Sequence, residues 1–249
     1  HVVRFVEMAK QALKEITANG QIPIVVGGTG FYIQALLYDI DFTSTSQDDN
    51  YRQDLENLAK EKGASYLHYE LQKVDKESAE AIHPNNIKRV IRALEYFHLT
   101  KTPISAHNEA EHQKVSPYNF AYFVLTDERS HLYERIDKRV DLMMENGLLD
   151  EVKKLYDMGY RKDMVSMQGL GYKEMIAYLD GEYSLEEAVY IIKRETRHFA
   201  KRQLTWFRRE KDVIWFDKKE YKYNNTAILD AMCHILTEKG ICDESTVRK

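Results

Sequence analysis

The sequence has little sulfur to cross-link: two cysteines, Cys233 and Cys242, both near its C-terminal end. They build neither a disulfide framework nor a CxxC metal site, and a reducing compartment suits them. Among the nine histidines no HExxH or comparable ligand spacing occurs, so a protein-only metal cage is not expected. No apolar run approaches the ~20 residues that span a bilayer, and no signal-peptide pattern opens the chain. Internal repeats, low-complexity tracts and long like-charge tails are missing too. The expectation is a soluble, cytoplasmic, monomeric protein with no membrane partner. Its 249 residues suffice for one large domain or a core plus an insertion.

What is present is more specific. The formal net charge is −4, yet eight Lys or Arg fall between Lys193 and Lys211, against Glu195, Glu210 and Asp212. Read as a helix, residues 191–209 put Arg194, Arg197, Lys201, Thr205 and Arg208 in one stripe, with Ile192, Phe199 and Trp206 recurring behind them. Positive charge concentrated this locally suits a polyanion, and guanidinium forks suit phosphate oxygens. A solvated basic face on a core helix is the plain alternative. On the apolar back, Trp206 is expected in the core.

The rest of the chain follows α/β grammar. Apolar spacing predicts a helix over 5–16, stopped by Asn19-Gly20, and then a short apolar run at 22–26 that reads as a buried parallel strand. It enters Gly27-Gly28-Thr29-Gly30, a turn whose backbone N–H groups can approach a ligand at the start of the next helix. A polar stretch at 39–50 reads as a linker. Helices are expected at 51–62 and 64–74, then a short one capped by Asp75. The helix over 87–99 leaves Lys88, Arg89 and Arg92 together on its exposed side, and Thr102-Pro103 ends it. A second strand is expected at 120–125 and a third at 213–216. The helix over 129–145 sets Arg135 and Arg139 four apart, where Glu134, Asp137 and Asp141 can pair with them. Gly169 and Gly171 suit close backbone approach, with Gln168 and Lys173 as donors, and Ser184 opens a capping box for the basic helix.

Four of these pieces stand in a telling order: VVGGTGFYIQALL at 25–37, HPNNIKRVIRALE at 83–95, SMQGLGYKEM at 166–175 and TRHFAKRQLTWFRR at 196–209. Together they resemble the tRNA dimethylallyltransferases of bacterial type, prenyltransferases acting on the adenosine immediately 3′ of the anticodon. The resemblance implies a P-loop-like α/β core with a parallel sheet and a helical insertion: core over 1–42, insertion over 43–105, core and C-terminal helix over 106–249. It implies dimethylallyl diphosphate as prenyl donor, Mg²⁺ as cofactor and a tRNA anticodon stem-loop as partner, with the target base flipped into a channel. Arg139, or its neighbour Arg135, is implied to support the diphosphate together with Gly27, Gly28 and Thr29. RNA contacts are implied for Thr29, Arg52, Lys88, Arg89, Arg92, Gln168, Gly169, Gly171, Tyr172, Lys173, Lys201, Arg202, Gln203, Thr205 and Arg208.

Relatives also carry a P-loop ending in Gly-Lys-Ser/Thr and an Asp-Ser segment whose Asp is the general base; neither pattern occurs in this sequence. The base and the Mg²⁺ ligands are therefore expected upstream, with residues 1–249 alone neither binding diphosphate properly nor catalysing. Two other readings share parts of the pattern, a P-loop small-molecule kinase and a non-catalytic RNA-binding module.

Overall fold

Two separate sets of buried side chains organise the computed structural model, in which residues 1–40 and 49–243 are described. Each belongs to its own compact unit, one made of His1–Pro23 and Phe31–Tyr118, the other of Ile24–Gly30 and Asn119–Lys249.

The described part of the first unit is helical: α1 (Val2–Ala18), α2 (Gly30–Leu37, whose first residue belongs to the other unit), α3 (Asp49–Lys62), α4 (Ala64–Val74), α5 (Lys76–Ala81), α6 (Ile87–Thr100) and α7 (Ile104–His112). Leu67 and Leu71, one turn apart on α4, meet Val90, Ile91 and Leu94 of α6 and Leu55 of α3. Each such side chain, taken fully from water, stabilises by about 1.5–3 kcal/mol. The buried Asp75 carboxylate accepts from Ser78 N at 2.9 Å and Oγ at 2.7 Å, and from Ser105 N at 3.0 Å and Oγ at 2.7 Å. Burial works against its charge, but these bonds outweigh it and hold the carboxyl below its ordinary range. Asp75 thus caps α5 and ties down the start of α7. The helix α7 has no counterpart in the sequence reading, because none of its residues is buried and its pattern shows no apolar stripe.

The second unit is α/β with a parallel sheet. Strands β1 (Tyr122–Thr126) and β2 (Val213–Asp217) pair in parallel, from Tyr122↔Val213 to Thr126↔Asp217. Parallel neighbours need a long crossover. Here it is α8 (Arg129–Glu145), α9 (Leu148–Asp157), a 3₁₀ turn (Val165–Gln168), α10 (Tyr172–Leu179) and α11 (Leu185–Phe207), with α12 (Asn225–Glu238) following β2. Val140, Val152, Met175, Ile176 and Ile192 form the core of these helices.

One expectation fails. The run at 22–26 forms no strand, and Ile24 and Val26 are 83% and 88% exposed. A strand exists only through its ladder partners, and among the described residues the sheet consists of β1 and β2 alone. Of the expected linker at 39–50, residues 41–48 lie outside the described residues. No described helix is long and apolar enough to cross a membrane.

Candidate functional site

Ser184 opens α11, its hydroxyl accepting the Glu187 N–H at 3.1 Å, and Glu186 and Glu187 suit the positive end of the helix dipole. Ile192, 1% exposed, anchors the helix. The cations that follow divide into two groups. Lys193 and Arg197 pair with Asp141 and Asp137 of α8, each at 2.5 Å, and Arg194 pairs with its neighbour Glu195 at 2.9 Å. Asp137 and Asp141 of α8 therefore serve α11 rather than their own helix. Beyond Arg197, Lys201 and Arg208 are exposed and make no ion pair among the described residues. Arg202 lies 5.9 Å from the centre of the Phe199 ring, and Thr205 Oγ1 bonds back to Lys201 O at 2.9 Å.

This second half of α11 clasps the glycine turn. Gln203 Nε2 donates to Gly28 O at 2.6 Å. A Cβ on Gly28 would collide with the Gln203 amide, and one on Gly30 would stand 2.5 Å from Trp206 Nε1. These two positions are glycine because side chains of α11 close on them, a different reason from the expected backbone approach to a ligand. Thr29, between them, is exposed, and a Cβ on Gly27 would meet nothing within 4 Å.

The apolar back of α11 departs from expectation: Ile192 and Phe207 are buried, but Phe199 is 44% and Trp206 37% exposed. The Trp206 indole lies on Gly30 and bonds to Glu210 instead of entering the core. Burial pushes the Glu210 carboxyl up to about 7 despite that bond. Its Oε2 is buried with no hydrogen-bond partner among the described residues.

The two arginines of α8 also differ. Arg135 Nη1 lies 3.5 Å from the Asp127 carboxylate, whereas Arg139 is exposed and makes no ion pair among the described residues. In the loop before α10, Gly171 has φ 98°, a left-handed conformation that favours glycine. Its N–H donates to Glu174 Oε2 at 2.9 Å, and Lys173 Nζ lies 3.4 Å from Glu174 Oε1. Gln168 donates to Lys162 O, and Tyr172 donates to Glu151, a bond that raises the phenol pKa. Gly169 is extended and exposed.

In the first unit, Lys88, Arg89 and Arg92 are exposed on α6. Arg52 of α3 reaches the same helix, its Nε 3.7 Å from buried Glu95 and 3.8 Å from Glu56.

The structure therefore joins Gly28 with Gln203, and Arg52 with α6. It also reveals residues the sequence reading missed: Asp127, His131 and Tyr223, bonded together where β1 and β2 end. An Asp closing a strand, four residues before a His on the following helix, is the signal that was available for two of them.

The sequence profile of the IPP transferase family matches residues 1–210. Over 241 residues the chain is 59% identical to the tRNA dimethylallyltransferase of Lachnoclostridium phytofermentans, covering 97% of this chain and 77% of that protein. The crystal structure of the full-length tRNA isopentenylpyrophosphate transferase of Bacillus halodurans superposes with a TM-score of 0.64 at 43% identity, over 96% of this chain and 75% of that one. A eukaryotic dimethylallyltransferase, crystallised acting on tRNA, gives a TM-score of 0.76 at 26% identity, over 96% and 62% of the two chains.

Proposed function

This chain belongs to the IPP transferase family, and from that premise we propose that it serves the transfer of a dimethylallyl group from dimethylallyl diphosphate to N6 of the adenosine 3′-adjacent to the anticodon in tRNA. N6 forms a bond to the allylic C1 carbon, the C1–O bond breaks with its electron pair leaving on the diphosphate, and one amine proton passes to a base. An adenine amine is a weak nucleophile, so orientation and a base are needed, while the departing diphosphate needs cationic and N–H donors. A flipped base would expose its edge to protein hydrogen bonds.

The observation that carries this reading is the clasp of Gln203 and Trp206 on the glycine turn, beside Lys201 and Arg208, which make no ion pair among the described residues. A turn and a cationic helix end so joined can hold an RNA backbone against a rigid support. In the same reading, Lys88, Arg89, Arg92 and Arg52 serve the RNA from the helical insertion, whose own buried core supports the division into 1–42, 43–105 and 106–249. Arg139 and Arg135, with Gly27, Gly28 and Thr29, serve the diphosphate. Among the described residues no group of three or more His, Cys, Asp or Glu is placed to hold a metal ion. The protein is proposed to act as a cytoplasmic monomer.

The test uses an anticodon stem-loop and dimethylallyl diphosphate labelled in the prenyl group, with residues 1–249 and with the complete reading frame that contains them. Label is expected on the stem-loop bearing adenosine and not on one bearing guanosine at that position. No label with the complete reading frame overturns the proposal, and γ-phosphate transfer from ATP to a small acceptor would replace it with a kinase.

A further inference from the structure

At the ends of β1 and β2 lies a cluster that the RNA reading does not use. Asp127 directly follows β1, and its side chain is only 4% exposed. Its Oδ1 accepts the Glu128 backbone N–H at 2.8 Å and the Tyr223 hydroxyl at 3.2 Å. Its Oδ2 faces His131 Nδ1 at 2.8 Å and Arg135 Nη1 at 3.5 Å. An ionised carboxylate can only accept, so His131 Nδ1 carries a proton toward Asp127 and the ring turns Nε2 away from it. Arg135 commits one edge of its fork and is otherwise exposed. The Tyr223 ring stands edge-on to the imidazole at 4.9 Å, and Lys219 pairs with Glu128 at 2.6 Å, tying the segment after β2 to the segment after β1. Burial opposes charge on Asp127, but its hydrogen bonds prevail and hold the carboxyl below its ordinary range.

Ligands of open parallel sheets bind outside the carboxyl ends of the strands. Here that edge presents an imidazole and a guanidinium one helical turn apart, both held from behind by one carboxylate. We infer that Asp127 is a positioning residue, and that it fixes His131, acting as the imidazolium whose Nε2–H also donates, and the Arg135 guanidinium as a receptor for the diphosphate of the prenyl donor. The inference rests on the proposed prenyl transfer. A single anion with several oxygens can span two donors on successive turns of α8, whereas an RNA backbone is served by the cations of α11. Replacing Asp127 with Asn puts an NH₂ group against donors and releases part of the set.

Asp127→Asn and His131→Gln are made in the complete reading frame. Inorganic pyrophosphate affinity is measured by calorimetry, KM and kcat for dimethylallyl diphosphate by label transfer, and stem-loop affinity by filter binding. Asp127→Asn should weaken pyrophosphate about tenfold, the order of one charge-assisted hydrogen bond, and raise KM more than it lowers kcat. His131→Gln, whose amide replaces one donor, should weaken it about threefold. Loss of stem-loop affinity in parallel with pyrophosphate would indicate mere unfolding and overturn the positioning role. So would unchanged pyrophosphate affinity and KM in both variants while the unsubstituted protein transfers label. A protein that transfers no label at all instead defeats the underlying function. If Asp127→Asn does not fold, His131→Gln and Arg135→Lys decide the matter by the same readouts.

Discussion

In the first half of α11, Lys193 and Arg197 are bonded to Asp141 and Asp137 across the α8 interface, and Ile192, just before Lys193, is buried. In the second half, Lys201 and Arg208 make no ion pair among the described residues, and it is the uncharged Gln203 and Trp206 that reach a neighbouring segment. One continuous cationic stripe therefore contains two kinds of cation. What separates them is the group supplied by the packed partner: α8 offers carboxylates beside the first half, and the glycine turn offers the Gly28 carbonyl beside the second. An unpaired cation next to a rigid backbone remains available to a phosphate; a paired one is already part of the fold.

The largest effect expected from this division is Ile192→Ala. The site is closed on all sides, so the cavity should cost about 2–5 kcal/mol in denaturant unfolding; a loss under about 1 kcal/mol would mean that the first half is not the anchor. Gly30→Ala comes next. Its Cβ meets the Trp206 ring, and overpacking should cost about 1–3 kcal/mol. Stem-loop affinity should fall with it, because the end of α11 must move. The division itself is tested by a pair of substitutions. Arg208→Ala should lower stem-loop affinity and flatten its log–log salt dependence by about 0.7–0.9, with stability unchanged within about 0.5 kcal/mol. Arg197→Ala should do the reverse, costing on the order of 1 kcal/mol, since its pair is partly exposed and screened, and leaving the salt slope as it was. Equal salt slopes for the two variants would erase the distinction between the halves.

Much of the fold was legible because its cause is local. The helices at Ala64–Val74 and Arg129–Glu145 start and stop where apolar spacing and turn residues say they should. The strand β1 was read as an apolar run and begins two residues later than expected, at Tyr122. The run at 22–26 has the same composition as a buried strand, yet strand formation depends on a partner that composition does not contain. The helix α7 carries no apolar stripe and has no fully buried residue, so its spacing gives no signal. For the site, residue types could be read and their commitments could not. That Arg197 is paired, and Arg208 makes no ion pair among the described residues, follows from how α8 meets α11. The Tyr223 bond to Asp127 joins residues 96 apart in the chain.

The smallest expected effect probes the support under Trp206. Burial raises Glu210 from an ordinary 4.5 to about 7, with the Trp206 bond working the other way. A carboxyl whose folded pKa exceeds its unfolded one binds its proton more tightly in the folded state. Its contribution to stability is full below about 4.5 and is lost as pH rises through about 7. Glu210→Gln keeps a neutral side chain of the same size at every pH. The unsubstituted protein should therefore lose stability relative to Glu210→Gln as pH climbs through that window, and the two melting curves should converge at its acid end. Because the carboxyl is only half-buried, water screens its charge and the gap should stay below that produced by Arg197→Ala. A pH-independent gap would mean that Glu210 is solvated in the folded protein. The position of Trp206 would then rest on Gly30 alone, and the second half of α11 would be held more loosely than the first.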